Sequence, residues 1–154
     1  MLFYSLNNFQ DVIRRDRPVS IASIKGGAGN EQIFGKVKFF NVPNGTLVIA
    51  DIFNLPKTET NIFGFHIHEN GNCEGDFSSS GPHLGQGDHP NHIGDMPPLF
   101  GVNGRAFLAF LDGRFSAKEV AGRSVIIHEM PDDFTSQPAG NSGKRIACGL
   151  IVPA

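Results

Sequence analysis

The sequence predicts an all-β domain, an antiparallel β-sandwich or barrel, and three observations carry that expectation. Short runs of alternating apolar and polar residues recur along most of the chain. Glycine (19) and proline (10) are frequent enough to place a turn between each pair of runs. One long segment, 69–104, is rich in Gly, Pro and Asn and shows no periodicity. Inside a compact domain such a segment is a functional loop or is disordered. The length of 154 residues suits one domain with a core of its own. Fourteen phenylalanines and no tryptophan make that core Phe/Ile/Val-rich.

Residues 1–17 stand apart from this pattern. Leu2, Leu6, Phe9 and Ile13 recur at helical spacing, Ser5 can cap the start, and Pro18 ends the segment. The expectation is a short amphipathic helical extension that docks on the domain or on a partner subunit, with the domain itself spanning 18–154. Val19–Ile24 alternates as a strand and runs into the turn Gly26-Gly27-Ala28-Gly29. Ile33–Val42 alternates through Ile33, Val37 and Phe39, and Pro43-Asn44-Gly45 is a hairpin signal. Thr46–Leu55 is β-branched and apolar. Ile62–His68 sets Phe63, Phe65 and Ile67 against Ile62, His66 and His68. After the long segment, Arg105–Leu111, Arg123–His128 and Ile146–Val152 read as strands. Ser116–Glu119 has the capping-box pattern of one helical turn.

The formal charge of −2 gives no reason to expect nucleic acid or an anionic membrane as partner. No stretch approaches the ~18–20 apolar residues of a membrane span. The start, M-L-F-Y-S-L-N-N-F-Q, has neither the basic region nor the unbroken apolar run of a secretory signal, so the expected location is cytoplasmic. The distribution of charge says more than its sum. From Thr58 to Gly104 there is no lysine or arginine, while Glu59, Glu69, Glu74, Asp76, Asp88 and Asp95 all fall there. Five of the six histidines lie in the same stretch. Bound divalent cations would supply the missing positive charge.

His66 and His68 are two apart on a predicted strand, so both imidazoles share one face while Phe65 and Ile67 take the other. His89, His92 and Asp95 form H-x2-H-x2-D, two nitrogens and one carboxylate that fit zinc once a fourth ligand is added. His83 and His128 are uninformative singly.

Taken together the motifs are specific. G-F-H-I-H-E, a cysteine five residues on, G-P-H, H-x2-H-x2-D, V-I-I-H-E and G-N-S-G-K-R-I-A-C-G occur in that order between about Val19 and Val152. This closely resembles copper/zinc superoxide dismutase, in its compact bacterial-like form. The resemblance implies a Greek-key, immunoglobulin-like β-sandwich with a long metal-binding loop. It implies copper held by His66, His68, His83 and His128, and zinc held by His83, His89, His92 and Asp95, with His83 shared as a bridge. It further implies that Asp132 fixes the tautomers of one copper and one zinc histidine, that Arg145 guides and binds the substrate anion, and that Cys73 and Cys148 form a disulfide. The implied activity is disproportionation of superoxide to dioxygen and hydrogen peroxide. Members form homodimers through differing faces, so a homodimer is expected with no face assigned.

Two segments depart from the family pattern. The spacing from His83 to Asp95 is short, most of the loss falling between His89 and His92, which puts the zinc geometry in question. The segment between Asp132 and Lys144 is short as well, leaving Lys144 and Arg145 as the evident steering cations and a rate below the diffusional ceiling as the expectation. These losses support an alternative reading, a metal-binding protein with little or no turnover.

Overall fold

The computed structural model describes residues 17–154. The helical extension expected over 1–17 therefore falls, except for Arg17, outside the described residues. Nine strands account for the fold: β1 (Ser20–Gly26), β2 (Phe34–Val42), β3 (Gly45–Phe53), β4 (Ile62–Phe63), β5 (Phe65–His68), β6 (Leu99–Phe100), β7 (Ala106–Asp112), β8 (Ser124–His128) and β9 (Arg145–Pro153). Seven form one curled antiparallel sheet in the order β5-β8-β9-β1-β2-β3-β7, and β4 pairs with β6 in a small second sheet. No described helix is long and apolar enough to cross a membrane.

Alternation builds the core. Ala22 and Ile24 of β1, Val37 and Phe39 of β2, Val48, Ala50 and Ile52 of β3, Phe65 and Ile67 of β5, Val125 and Ile127 of β8, and Ala147 and Ile151 of β9 meet in one buried cluster. The sheet curls around these side chains, so the residues between them face outward. The Pro43-Asn44 turn joins β2 to β3 in the register Val42↔Gly45, with Asn44 at φ 73°. Asn tolerates that left-handed conformation better than most side chains.

Three sequence expectations change. Ile62–His68 is not one strand. It divides at Gly64, whose N–H donates to Met130 O and whose carbonyl accepts from His128 N–H. A Cβ at Gly64 would meet Ser142 at 2.9 Å and His128 Cβ at 3.2 Å, so only glycine lets these segments close on one another here. The Ser116–Glu119 box forms, with Ser116 N–H on Glu119 Oε2 at 2.8 Å and Glu119 N–H on Ser116 Oγ at 3.3 Å. It caps a run of turns and not a helix, because Gly122 and Arg123 are already paired with Ile151. The long segment contains β6, a strand with no periodic signal, since two residues are too few to show one.

Candidate metal centre

β5 places its histidines as alternation requires. Phe65 and Ile67 enter the core, and His66 and His68 share the opposite face, both buried. Antiparallel pairing with β8 sets His66 opposite Ile126 and His68 opposite Ser124. His128 ends β8, its N–H held by Gly64 O at 2.8 Å. The long loop is brought to them by backbone bonds to a single residue of β5. Ile67 N–H donates to Gly94 O, Leu84 N–H donates to Ile67 O, and Gly94 N–H donates to Leu84 O, all at 2.8–2.9 Å. This rung sets His83 beside His68 and Asp95 beside His66. Gly94 permits the approach: a Cβ there would lie 2.2 Å from Ile67 O.

Two groups of ligand atoms result, each with every atom within 4.8 Å of the others. One is His66, His68, His83 and His128; the second is His83, His89, His92 and Asp95. His83 belongs to both. All seven residues are buried.

Hydrogen bonds at the far ring nitrogens fix the tautomers. His68 Nδ1–H donates to Gly81 O at 2.8 Å, and His128 Nδ1–H donates to Gly143 O at 3.3 Å. Their bare Nε2 atoms then face each other at 3.3 Å, two acceptors with no proton between them. Asp132 accepts from His66 Nε2–H through Oδ2 and from His89 Nε2–H through Oδ1, both at 2.7 Å. That leaves Nδ1 bare on both rings. His89 Nδ1 lies 3.1 Å from Asp95 Oδ2, again acceptor against acceptor. Among the described residues, His66 Nδ1, His83 Nε2 and His89 Nδ1 are buried with no hydrogen-bond partner. Orphaned buried nitrogens are costly in a native fold and call for an explanation. A cation in each group satisfies all of them. Four imidazoles suit copper, and three with a carboxylate suit zinc.

The electrostatics agree with that donor set. Burial pushes His68 down to about 2 and His128 down to about 3, keeping both rings neutral and their lone pairs available. For His66, burial outweighs the Asp132 hydrogen bond and the shift is also downward. Burial would raise Asp95, but the hydrogen bond from His83 and the charges of His83, His89 and His66 together outweigh it and hold the carboxyl at about 2. Asp132 is likewise held below the usual range, burial being outweighed by bonds from His66, Phe134 N–H and His89.

Arg145 stands opposite His128 because β9 carries an extra residue there: Ile127 pairs with Ala147 but His128 with Arg145. Its guanidinium donates to Phe77 O at 2.6 Å, Ser80 Oγ at 2.8 Å, Ser78 O at 3.2 Å and Gly81 O at 2.8 Å. Gly81 O thus receives both Arg145 and His68. The Cys73–Cys148 disulfide ties the same loop to β9, and Phe77 and Ile126 pack against it.

Sequence reasoning missed two contributors. Arg114, in the Asp112-Gly113-Arg114 turn after β7, donates through Nη1 to His92 O at 3.0 Å and through Nη2 to Asp95 O. It is itself held by Asp112, with Nε on Oδ1 at 3.0 Å and Nη2 on Oδ2 at 2.6 Å. No local pattern links that turn to a loop about twenty positions earlier. Gly140, at φ 65°, covers Asp132, where a Cβ would lie 2.0 Å from Asp132 Oδ1 and 2.7 Å from His89 Nε2. The pattern G-N-S-G points to a turn but not to what the turn covers.

Comparison with known proteins gives a consistent picture. The family described as copper/zinc superoxide dismutase matches residues 33–151. Superoxide dismutase (Cu-Zn) of Legionella pneumophila is 35% identical over 127 residues, covering 76% of this chain and 76% of that protein. Superoxide dismutase (Cu-Zn) 2 of Aquifex aeolicus (strain VF5) is 32% identical over 138 residues, 78% and 80% of the two chains. The copper chaperone for superoxide dismutase of Homo sapiens is 33% identical over 146 residues, 84% of this chain but 52% of the chaperone.

Proposed function

The chain belongs to the copper/zinc superoxide dismutase family, and from that membership we propose how its own residues carry the activity. The enzyme disproportionates superoxide. His66, His68, His83 and His128 would hold copper, and His83, His89, His92 and Asp95 would hold zinc. Copper bound there would supply the one-electron redox chemistry that disproportionation of superoxide to dioxygen and hydrogen peroxide requires, and redox-silent zinc would supply charge and order. The observation that carries the assignment is the pair of ligand groups joined at His83, each with buried bare nitrogens aimed inward.

The remaining work belongs to protein groups. Asp132 keeps the proton of His66 and His89 on Nε2, so that Nδ1 of each stays free to bind metal. Gly81 O and Gly143 O do the same for His68 and His128 in the opposite sense. His83 bridges the two groups and carries a proton to the product at Nε2. Arg145, fixed by four acceptors, offers its other N–H groups to a small anion beside His128 without having to be ordered on binding. Exposed Lys144 adds positive charge at the approach. The strand order β5-β8-β9-β1-β2-β3-β7 supports the Greek-key connectivity usual in this family.

The similarity to copper chaperones motivates a second reading, a copper- or zinc-binding protein with little turnover. The presence of Asp132 and Arg145 beside a complete copper quartet favours the enzyme, because storage needs no anion-guiding arginine. Reconstitution decides between them. The enzyme shows copper-dependent, cyanide-sensitive dismutation that falls with added salt and is lost in His128→Ala. Stoichiometric copper with no dismutation would sink this reading and leave the binding protein.

A further inference from the structure

His89 reaches its ligand group on a stretch with little backbone bonding of its own. Only Pro90 and Asn91 separate it from His92, and Pro90 has no N–H to offer. Asn91 N–H donates to Asp88 O at 2.9 Å, closing a turn around His89 and Pro90. Among the described residues, no backbone group bonds the N–H or the carbonyl of His89. His89 is buried, so both groups need partners. Both find them on one side chain. His89 N–H donates to Gln137 Oε1 at 2.9 Å, and Gln137 Nε2 donates to His89 O at 2.7 Å. A neighbouring antiparallel strand would exchange the same two bonds. Here a planar amide supplies them, and neither a carboxylate, which has no donor, nor an ammonium, which has no acceptor, could do so.

The turn that presents Gln137 is built within its own segment. Asp133 accepts through Oδ1 from Thr135 N–H at 2.9 Å and Ser136 N–H at 2.8 Å, and through Oδ2 from Ser136 Oγ at 2.6 Å. Gly140 N–H donates to Ser136 O at 2.8 Å, and Asp133 N–H donates to Gly140 O at 2.9 Å. These bonds close the chain on both sides of Gln137 without using any ligand residue. The same segment carries Asp132, whose Oδ1 accepts from His89 Nε2–H at 2.7 Å. One segment thus grips His89 at three points, the ring and both backbone groups. We propose that Gln137 is a positioning residue for zinc, which fixes the backbone of His89 and thereby sets where its Nδ1 points. The inference rests on the zinc assignment proposed above. A ring held only at Nε2 can pivot about that bond and carry Nδ1 away from His83, His92 and Asp95. Holding the N–H and the carbonyl as well removes the pivot, a task that the two-residue spacing to His92 leaves to a partner outside the loop.

Chelator challenge of the full, metal-loaded chain tests this. Gln137→Met keeps the reach of the side chain with neither donor nor acceptor, and Gln137→Glu keeps only the acceptor. Gln137 is exposed, so neither variant disturbs the core. Both should lose zinc at about tenfold lower chelator concentration than the parent, with copper retention unchanged. Cobalt(II) loaded in place of zinc gives a second readout, because its visible absorption reports ligand geometry. The parent spectrum should be that of a tetrahedral site, and both variants should alter it. Zinc retention and a cobalt spectrum equal to the parent's in both variants would overturn the proposal. Loss of zinc and copper in equal measure, with a lower Tm of the metal-free chain, would also overturn it, by giving Gln137 a role in the fold alone. A parent chain that retains copper but no zinc would refute the zinc assignment itself, and the proposal with it.

Discussion

Replacing Arg114 with glutamine should loosen zinc and spare copper. Arg114 spans the gap between the end of β7 and the loop that carries His92 and Asp95, two of the residues proposed to hold zinc, and holds the carbonyls of both. A charged donor to a carbonyl contributes about 1.5–3 kcal/mol when shielded, but this side chain is 41% exposed and water partly replaces it. About 1 kcal/mol for each bond is then reasonable, about 2 kcal/mol together. Without the clamp the metal-free loop must be ordered by zinc itself, so the cost falls on zinc binding, roughly 30-fold in Kd. Arg114→Lys keeps the charge but not the fork that reaches Asp112 and both carbonyls, and should resemble Arg114→Gln more than the parent. The assay is chelator competition on metal-free protein, with copper affinity and Tm measured alongside. Arg114 makes no hydrogen bond to His66, His68, His83 or His128, so copper affinity should stay within about threefold. A folded Arg114→Gln protein with parental zinc affinity would show that the rung on Ile67 orders the loop alone.

Three further outcomes follow from the same contacts. Asp132→Asn offers one acceptor where two are needed, so either His66 or His89 must move its proton to Nδ1; metal retention against a chelator should fall about 10–100-fold, and unchanged retention of both metals would refute the tautomer assignment. Replacing Cys73 and Cys148 together with alanine opens a loop of 75 positions, which the chain-entropy relation puts at about 4.5 kcal/mol and a Tm lower by roughly 10–15 °C; a fall under about 5 °C would mean that residual structure already confines this loop in the unfolded chain. Metal-free protein should lose stability in mild acid. The folded values of about 2 for His68 and about 3 for His128 lie below the ordinary 6.5, so the unfolded chain takes up more protons between them. Stability is therefore full above pH ~6.5 and declines toward pH ~3 at about 1.4 kcal/mol per pH unit for each histidine; urea midpoints that stay flat from pH 7 to 4 would contradict this.

Much of this was legible in the sequence because it rests on alternation. His66 and His68 share a face because strands have period two, and Phe65 and Ile67 enter the core for the same reason. The residues on the loop were legible as motifs, and their convergence only through the family resemblance, not from the residues themselves. It depends on backbone bonds between Ile67, Leu84 and Gly94, and backbone groups carry no residue-specific signal. The same holds for Gly81 O and Gly143 O, which set two tautomers. Arg114 was invisible because its partners lie on another element, and β6 because two residues show no period. The capping box was read correctly as chemistry and wrongly as a helix, since a neighbouring strand had already claimed the following backbone groups.

The rung on Ile67 also explains how the zinc loop tolerates a change in length. Leu84 and Gly94 are bonded to β5 and to each other, so the nine residues numbered 85–93 form a bight closed at its neck. Residues can be gained or lost within the bight without shifting His83 or Asp95, which lie just outside the neck. Only His89 and His92 ride on the bight, and His89 is caught from outside by Asp132 while the carbonyl of His92 is caught by Arg114. Loop length and the placement of His83 and Asp95 are thereby set by different parts of the chain. An engineer shortening or grafting this loop should cut inside the neck and never across it.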